Sequence, residues 1–282
     1  MPRKNCHFNC CDIASKISPR IDWIRTRFHQ LENPVLVRTL CIANQKGGVG
    51  KTTTAINLAA CLALADQETL LVDLDPQCNA TTGLGLQPLE RHPLVTGQSP
   101  AEATIPTGTP KLSMLPGSRS FGDTQRLAEE GPECTDRLRR YLAQAAATSD
   151  FILIDSPPSL GPLTEAALSA SSEILMPIQC EYFAMEGLTQ MIQVIKRVMQ
   201  QPEQKLEFGG ILLTMYDHTL ELAAEVDQEV REFFGEIVFE TVIPRDVSVS
   251  EAPSFGCSVV EHAPRARGAR AYIELCMEVL ER

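Results

Sequence analysis

"NQKGGVGKTT", residues 44–53, decides how the rest of the chain is read. Three glycines, Gly47, Gly48 and Gly50, lie between the apolar run "TLCIAN" and the stretch "TTAINLAACLALA", whose apolar residues recur at helical spacing. Strand, glycine loop, helix is the context a phosphate-binding loop requires. The glycines let the backbone around Val49 turn its N–H groups inward on an anion, and the helix N-terminus adds a partial positive charge. Lys51 is then placed to reach the β- and γ-phosphates. Thr52 is placed to offer its hydroxyl to Mg²⁺, a cation usually held by few protein oxygens together with phosphate and water. A plain glycine turn is the alternative, and the G-K-T-T ending in this context speaks against it. Gln45 stands where the usual G-x-x-x-x-G-K-[ST] pattern has its first glycine, and an extra lysine, Lys46, sits just inside.

The chain has 282 residues, 44% of them hydrophobic, enough to bury a full core. Its longest apolar runs, such as "LAACLALA", are about half the ~18 residues of a membrane span. The N-terminus carries charges and cysteines where a secretory signal needs an unbroken apolar stretch, which points to the cytoplasm. Ten cysteines are scattered with no C-x-x-C pair, so free thiols are expected. "CHFNCC" (Cys6, His7, Cys10, Cys11) offers soft metal ligands but has no second cluster at zinc-finger spacing. The net charge of −11 is unevenly spread: residues 1–38 hold seven Lys/Arg and three Asp/Glu, so a basic arm precedes an acidic body. In that arm Ile21, Ile24, Phe28 and Leu31 share one face of a possible helix, with Arg20, Arg25 and Arg27 mostly elsewhere.

From about residue 38, β-rich runs alternate with helical stretches, the pattern of βαβ units around a parallel sheet. Strands are expected at "TLCIAN", "TLLVD", "KLSMLP", "FILID", "EILMPIQ", "GGILLTMY" and "FETVIP"; helices at 53–65, 135–147, 187–199, 223–234 and 270–280. The fold class that follows is α/β, a doubly wound, mostly parallel sheet flanked by helices, with its site at the carboxyl ends of the strands. Residues 1–37 form a basic extension, helical in part or disordered, and 38–282 the P-loop domain. The segment from about Gly83 to Arg126, rich in Pro, Gly and Thr, reads as a surface excursion.

Two carboxylates support the loop. Asp155 closes "FILID" after four apolar residues and suits the holding of a Mg²⁺-bound water. "LLVDLDPQ" ends a strand on Asp73 and Asp75, and Asp75, in the loop before Pro76, suits the orienting of an attacking water. Capping of the following turn is the plain alternative for each.

The run "IANQKGGVGKTTTAINLAACLA…LLVDLDPQCNATTGLG" closely resembles the ParA/Soj chromosome-partitioning ATPases of the deviant P-loop class. So do "FILIDSPPSLGPLTEAAL", "MPIQCEYFAMEGL", "LLTMYD" and "VFETVIPRDVSVSEAPSFG". The resemblance implies ATP and Mg²⁺ as ligands and a homodimer when ATP is bound, in which Lys46 reaches the partner's phosphates. It further implies Asp75 as the hydrolysis residue, Asp155 as the acid beside the metal, Thr52 as metal ligand and Thr53 as a further phosphate contact. Pro244 and Asp246 of the "IPRD" loop are implied in base recognition, and a ParB-like activator and nonspecific double-stranded DNA as partners. The guanine-reading N-K-x-D pattern is missing, in keeping with ATP. A cation added near developing phosphoryl charge acts as an arginine finger does, which gives the second lysine a purpose.

Four positions depart from the family. Thr219 and Ser248 stand where arginines commonly feed a DNA-holding patch; Asp246 replaces an asparagine and Cys78 a glycine. Fewer arginines mean weaker nonspecific DNA binding, which counts neutralised phosphates. Arg245, Arg265, Arg267 and Arg270 remain. Cys78 costs little unless the glycine it replaces had positive φ. Positioning of a protein cargo with weak or no DNA binding is therefore a competing role. A membrane-cycling relative is disfavoured because the chain ends in acidic "IELCMEVLER" and not in a basic amphipathic tail, so no stable membrane association is expected. An iron–sulfur ATPase is disfavoured because Cys134 and Cys180 lack the expected motifs.

Overall fold

The runs Thr69–Asp73 and Phe151–Asp155 are buried at every residue. A strand with no wet face has to be covered on both sides, and that requirement sets the architecture. The computed structural model describes residues 37–129, 131–181, 184–201 and 206–282. The order of elements is β1 (Arg38–Ile42), α1 (Lys51–Leu64), β2 (Thr69–Asp73), α2 (Asn79–Gly83), α3 (Pro93–Thr96), α4 (Pro100–Ala103), β3 (Ile105–Pro106), β4 (Leu112–Leu115), α5 (Phe121–Glu129), α6 (Pro132–Ala145), β5 (Phe151–Asp155), α7 (Pro162–Ser169), β6 (Glu173–Gln179), α8 (Ala184–Met199), β7 (Glu207–Tyr216), α9 (Glu221–Phe234), β8 (Val238–Pro244), α10 (Val247–Glu251), α11 (Val259–His262) and α12 (Arg267–Glu281).

The sheet runs β3-β4-β2-β5-β1-β6-β7-β8. Every pairing is parallel except β3 with β4. Alternation along the strands divides the core in two. Leu40, Ile42 and Leu153 face a layer built from α1, α11 and α12. Cys41, Ile152 and Ile154 face the opposite layer, to which α6, α7, α8 and α9 contribute. Helix α1 is buried from Thr54 to Leu64 because α12 covers the side turned away from the sheet, and its alanines allow that close approach. The doubly wound parallel sheet expected from the pattern is the observed fold.

Each expected strand is present. The excursion after Gly83 is not all surface, however. It carries β4, which extends the sheet parallel to β2, and β3, a two-residue antiparallel edge where Pro106 is tolerated because an edge strand needs fewer donors. Leu94, Ala103, Leu112, Met114 and Leu115 from this segment are buried. Helix α7 lies outside the expected helices; its eight residues are too few for a firm 3.6-residue period.

Among the described residues no helix is long and apolar enough to cross a membrane. Seven cysteines, Cys41, Cys61, Cys78, Cys134, Cys180, Cys257 and Cys276, are thiols outside any disulfide among the described residues, as the scattered spacing implies. Cys6, His7, Cys10 and Cys11, and the basic arm with them, lie outside the described residues.

Candidate active site

The loop after β1 is shaped by its glycines. Gly48 (φ 77°) and Gly50 (φ 88°) take left-handed backbone that a side chain resists, and a Cβ on Gly47 or Gly48 would meet nothing within 4 Å. The loop is thus an open cradle of backbone at the N-terminus of α1. Two side chains, Asn44 of the loop and Thr214 of β7, brace it against neighbouring strands. Asn44 donates through Nδ2 to the Pro177 carbonyl of β6 (2.7 Å) and accepts from the Lys46 amide (3.0 Å). The Thr214 hydroxyl of β7 lies 2.8 Å from the Val49 carbonyl and 3.0 Å from that of Ile178. Neither Asn44 nor Thr214 stands out in the sequence, because nothing local marks a residue that braces a loop across strands.

Lys51 is the first residue of α1 and only 6% exposed. Its Nζ donates to the Lys46 carbonyl (2.9 Å), curling back over the loop. Burial lowers its pKa, against the pull of Asp155 and Asp75, which favour its charge. Thr52 and Thr53 are half-buried on the first turn. Lys46 goes elsewhere: its Nζ lies 3.1 Å from an oxygen of Glu181, at the half-exposed edge of the site.

Parallel register brings the carboxylates to the cradle. Ile42, Asp155 and Asp73 are aligned across β1, β5 and β2, so two carboxylates end neighbouring strands beside the loop. Asp155 is wholly buried, and neither of its oxygens has a hydrogen-bond partner among the described residues. Burial drives its pKa well up, and Asp73 adds to the shift; the Thr52 hydroxyl acts in the opposite direction without reaching hydrogen-bond geometry. A buried, orphaned carboxylate is costly unless a cation compensates it. Among the described residues no group of three or more His, Cys, Asp or Glu side chains could hold a metal. Asp155 and Thr52 therefore fit a cation only if phosphate and water complete its shell, which is the usual manner of Mg²⁺.

Asp73 and Asp75, a pair in the sequence, are divided by the structure. Asp73 accepts from the Asp75 amide (3.1 Å), the Thr81 amide (2.9 Å) and the Thr81 hydroxyl (2.6 Å). Thr81 Oγ1 in turn accepts from the Gly117 amide (2.9 Å). Asp73 is thus a tie holding together the ends of β2 and β4 and the start of α2. Burial lifts its pKa to about 6 despite those bonds. Asp75 is engaged through one oxygen: Oδ1 accepts from Gln77 (2.9 Å), which makes the local turn, while burial raises its pKa and Lys51 lowers it. Asp75 makes a local turn of the kind capping implies, whereas Asp73 joins segments eight and more positions apart in the chain.

A cavity of about 110 Å³ opens beside the first turn of α1, lined by Gly50, Thr53, Thr214, Pro244, Asp246 and Tyr272 among others. The "IPRD" residues and the loop, about 190 positions apart in the chain, meet here. Asp246 is heavily engaged: Oδ1 accepts from the Ser248 amide (2.9 Å) as N-cap of α10, and Oδ2 accepts from the Gly268 amide (2.9 Å) at the start of α12. Burial alone would raise its pKa; the Gly268 and Ser248 bonds and Arg267 outweigh that and lower it. Its first work is to pin two helix starts behind the cavity.

On the adjoining rim, Thr219 turns its amide and hydroxyl onto Asp217 Oδ1 (3.0 and 2.7 Å). Ser248 is half-buried, whereas Arg245, Arg265, Arg267 and Arg270 are exposed, and none of the four makes an ion pair among the described residues. Cys78 has φ 53°, the left-handed conformation, so a side chain there carries strain of about 1–2 kcal/mol that a glycine would not.

A family model described as an AAA domain matches residues 37–208. The chain is 47% identical over 252 residues to the chromosome-partitioning ATPase Soj of Treponema pallidum, covering 87% of this chain and 98% of the relative. It is 42% identical over 257 residues to the chromosome partitioning protein ParA of Caulobacter vibrioides, covering 89% and 96%. Among solved structures, a cobyrinic acid a,c-diamide synthase from Mycobacterium smegmatis with bound ADP and magnesium superimposes with a TM-score of 0.74 at 32% identity, over 87% of this chain and 94% of that one. The cell division ATPase MinD of Pyrococcus furiosus gives 0.73 at 25% identity, over 86% and 98%.

Proposed function

The chain belongs to the ParA/Soj family of P-loop ATPases, and from that premise we propose that ATP binding pairs it with a second copy, that the pair holds nonspecific double-stranded DNA, and that a ParB-like partner stimulates the hydrolysis that releases it. The observation that carries this reading is the buried, orphaned Asp155 facing Lys51 at an open glycine cradle.

In this reading the amides of residues 47–50 and the α1 N-terminus receive the phosphates, with Lys51 on the β/γ oxygens and Thr53 as a further contact. Thr52 and Asp155 would hold Mg²⁺, which would supply positive charge against that building on the transferred phosphoryl group. Asp75, with Oδ1 anchored by the Gln77 amide and its charge coupled to Lys51, orients the attacking water. Pro244 and Asp246 border the base in the 110 Å³ cavity. Lys46 leaves Glu181 and reaches the phosphates of the second copy, coupling pairing to the nucleotide.

Nonspecific DNA binding compared for wild type, Lys51→Ala and Asp75→Ala, with and without ATP, tests the cycle. Asp75→Ala is expected to remain on DNA while Lys51→Ala never binds it; identical behaviour of the two sinks the mechanism. One observation favours a second role, the positioning of a protein cargo: where the family has arginines, Thr219 folds back on Asp217 and Ser248 is half-buried. A complete lack of ATP-dependent DNA binding, even at low salt, selects that role.

A further inference from the structure

Helix α9 has an outer face that nothing described covers. Leu222, Glu225, Glu229 and Phe233 follow one another at spacings of three, four and four, which places them along one stripe, and all are exposed; Phe233 is 70% exposed. The turn after the helix continues the stripe with exposed Glu236 and Ile237. The helix has one cation, Arg231, which is taken by Asp227 (2.6 Å) and lies 3.9 Å from Glu240. Glu225, Glu229 and Glu236 have no cationic partner among the described residues. Like charges four apart on a helix repel, so Glu221, Glu225 and Glu229 stand together at a cost that an approaching cation would remove.

The stripe leads into a cavity of about 440 Å³ at the amino ends of the strands, lined by Arg38, Glu207, Phe208, Glu236, Ile237 and Arg282 among others. Both arginines are already engaged. Arg38 forms a two-pronged pair with Glu173 (2.7 Å each) and donates to the Val279 carbonyl. Arg282 donates to Gly209, Glu236, Val238 and Glu278 and lies over the Phe239 ring. What the cavity offers is therefore acidic and apolar: Glu207, Glu236, Phe208 and Ile237. Arg38 also stands next to Val37, where the described chain starts, so the segment that precedes it sets out close to this cavity.

We propose that residues 20–31 of the same chain dock on the α9 stripe, with 32–36 crossing the cavity. The chemistry is complementary. "RIDWIRTRFHQL" brings Arg20, Arg25 and Arg27 against one acid, and Ile21, Ile24, Phe28 and Leu31 form an apolar face suited to Leu222, Phe233 and Ile237. The lengths agree as well. As a helix, twelve residues span about 18 Å against about 21 Å for α9. Residues 32–36 add a reach of up to about 17 Å when extended.

Trp23, the chain's single tryptophan, lies in the docking segment and reports its motion. Time-resolved fluorescence anisotropy of the full chain is expected to show Trp23 rotating with the whole 31.0 kDa body, equally at every protein concentration over a hundredfold range. Glu225→Lys/Glu229→Lys is expected to at least double the amplitude of the fast local component while leaving ATPase activity unchanged. Adding Arg25→Glu/Arg27→Glu to that variant is expected to restore the slow decay. Raising the salt is expected to have the same direction of effect as the charge reversal. A fast component that dominates in wild type, or that is indifferent to the reversal, overturns the proposal. So does slow rotation that appears only on self-association, or only with added DNA or anionic vesicles.

Discussion

At the N-terminus of α1, Lys51, Asp75 and Asp155 are buried around one cradle, whereas a short distance away on the rim Arg245, Arg265, Arg267 and Arg270 stand in solvent. In the first region each charge is perturbed by its neighbours: burial acts on all three, and each is coupled to at least one of the others. In the second, water screens every charge, so side chains can be exchanged at little cost. Of the four positions read as departures from the family pattern, Thr219, Ser248 and Asp246 belong to the rim or its support, whereas Cys78 is wholly buried. The difference teaches that burial couples the cradle charges to one another, while the rim charges stand in water and can be exchanged at little cost.

The largest effect should come from breaking the buried set. Lys51→Ala removes the cation that Asp75 and Asp155 share, and kcat for ATP hydrolysis is expected to fall by about 10²–10³-fold or more. An activity within tenfold of wild type would mean the coupling at the cradle is not catalytic. Asp75→Ala should lower hydrolysis by about 10²-fold while equilibrium nucleotide binding changes little, since Asp75 contacts the water and not the phosphates in the proposed mechanism. Loss of binding in parallel would reassign it to a structural role.

A test of comparable size lies in the buried excursion. His92 is 6% exposed, its Nδ1 accepts from the Leu94 amide (3.2 Å), and burial holds its pKa down at about 4. The unfolded chain protonates the same imidazole near 6.5. Between those values the unfolded state binds more protons, so stability is full above about 6.5 and lost as pH falls toward 4, by up to about 3 kcal/mol. Asp73, lifted to about 6, contributes a slope of opposite sign over the same window, so the His92 contribution is read as a difference: in chemical denaturation across pH 7 to 4.5, His92→Gln should lose less stability on acidification than wild type.

The smallest effects belong to the rim. Thr219→Arg/Ser248→Arg should leave stability within about 0.5 kcal/mol. It should steepen the salt dependence of ATP-dependent DNA binding by about 0.9 for each additional phosphate neutralised. A rim double mutant that binds DNA with the wild-type salt slope would show that these positions do not face the duplex.

Much of the site was legible because its signals are local. The cradle needs glycines adjacent in sequence, a helix start and a lysine at a fixed step, and all of these fall within residues 44–53. Asp155 was legible because four apolar residues before a carboxylate mark the end of a buried strand. Asp73 was harder: it has the same local signature as Asp75, and only the meeting of Thr81 and Gly117 around it makes it a tie. The edge pair β3 and β4 was half visible, since β4 is an apolar run but β3 has two residues and a proline.

The sequence by itself determined the order of seven strands and the five longer helices among them, the glycine loop and the family, because periodicity and short motifs are properties of neighbouring residues. Tertiary structure alone decided which groups share a field. It placed Lys46 on Glu181, 135 positions away, and set Asp246 between Ser248 and Gly268. It also left Asp155 without a hydrogen-bond partner among the described residues and gave Cys78 a left-handed backbone. Burial and long-range contact set those energies, and neither is a property of any segment taken alone.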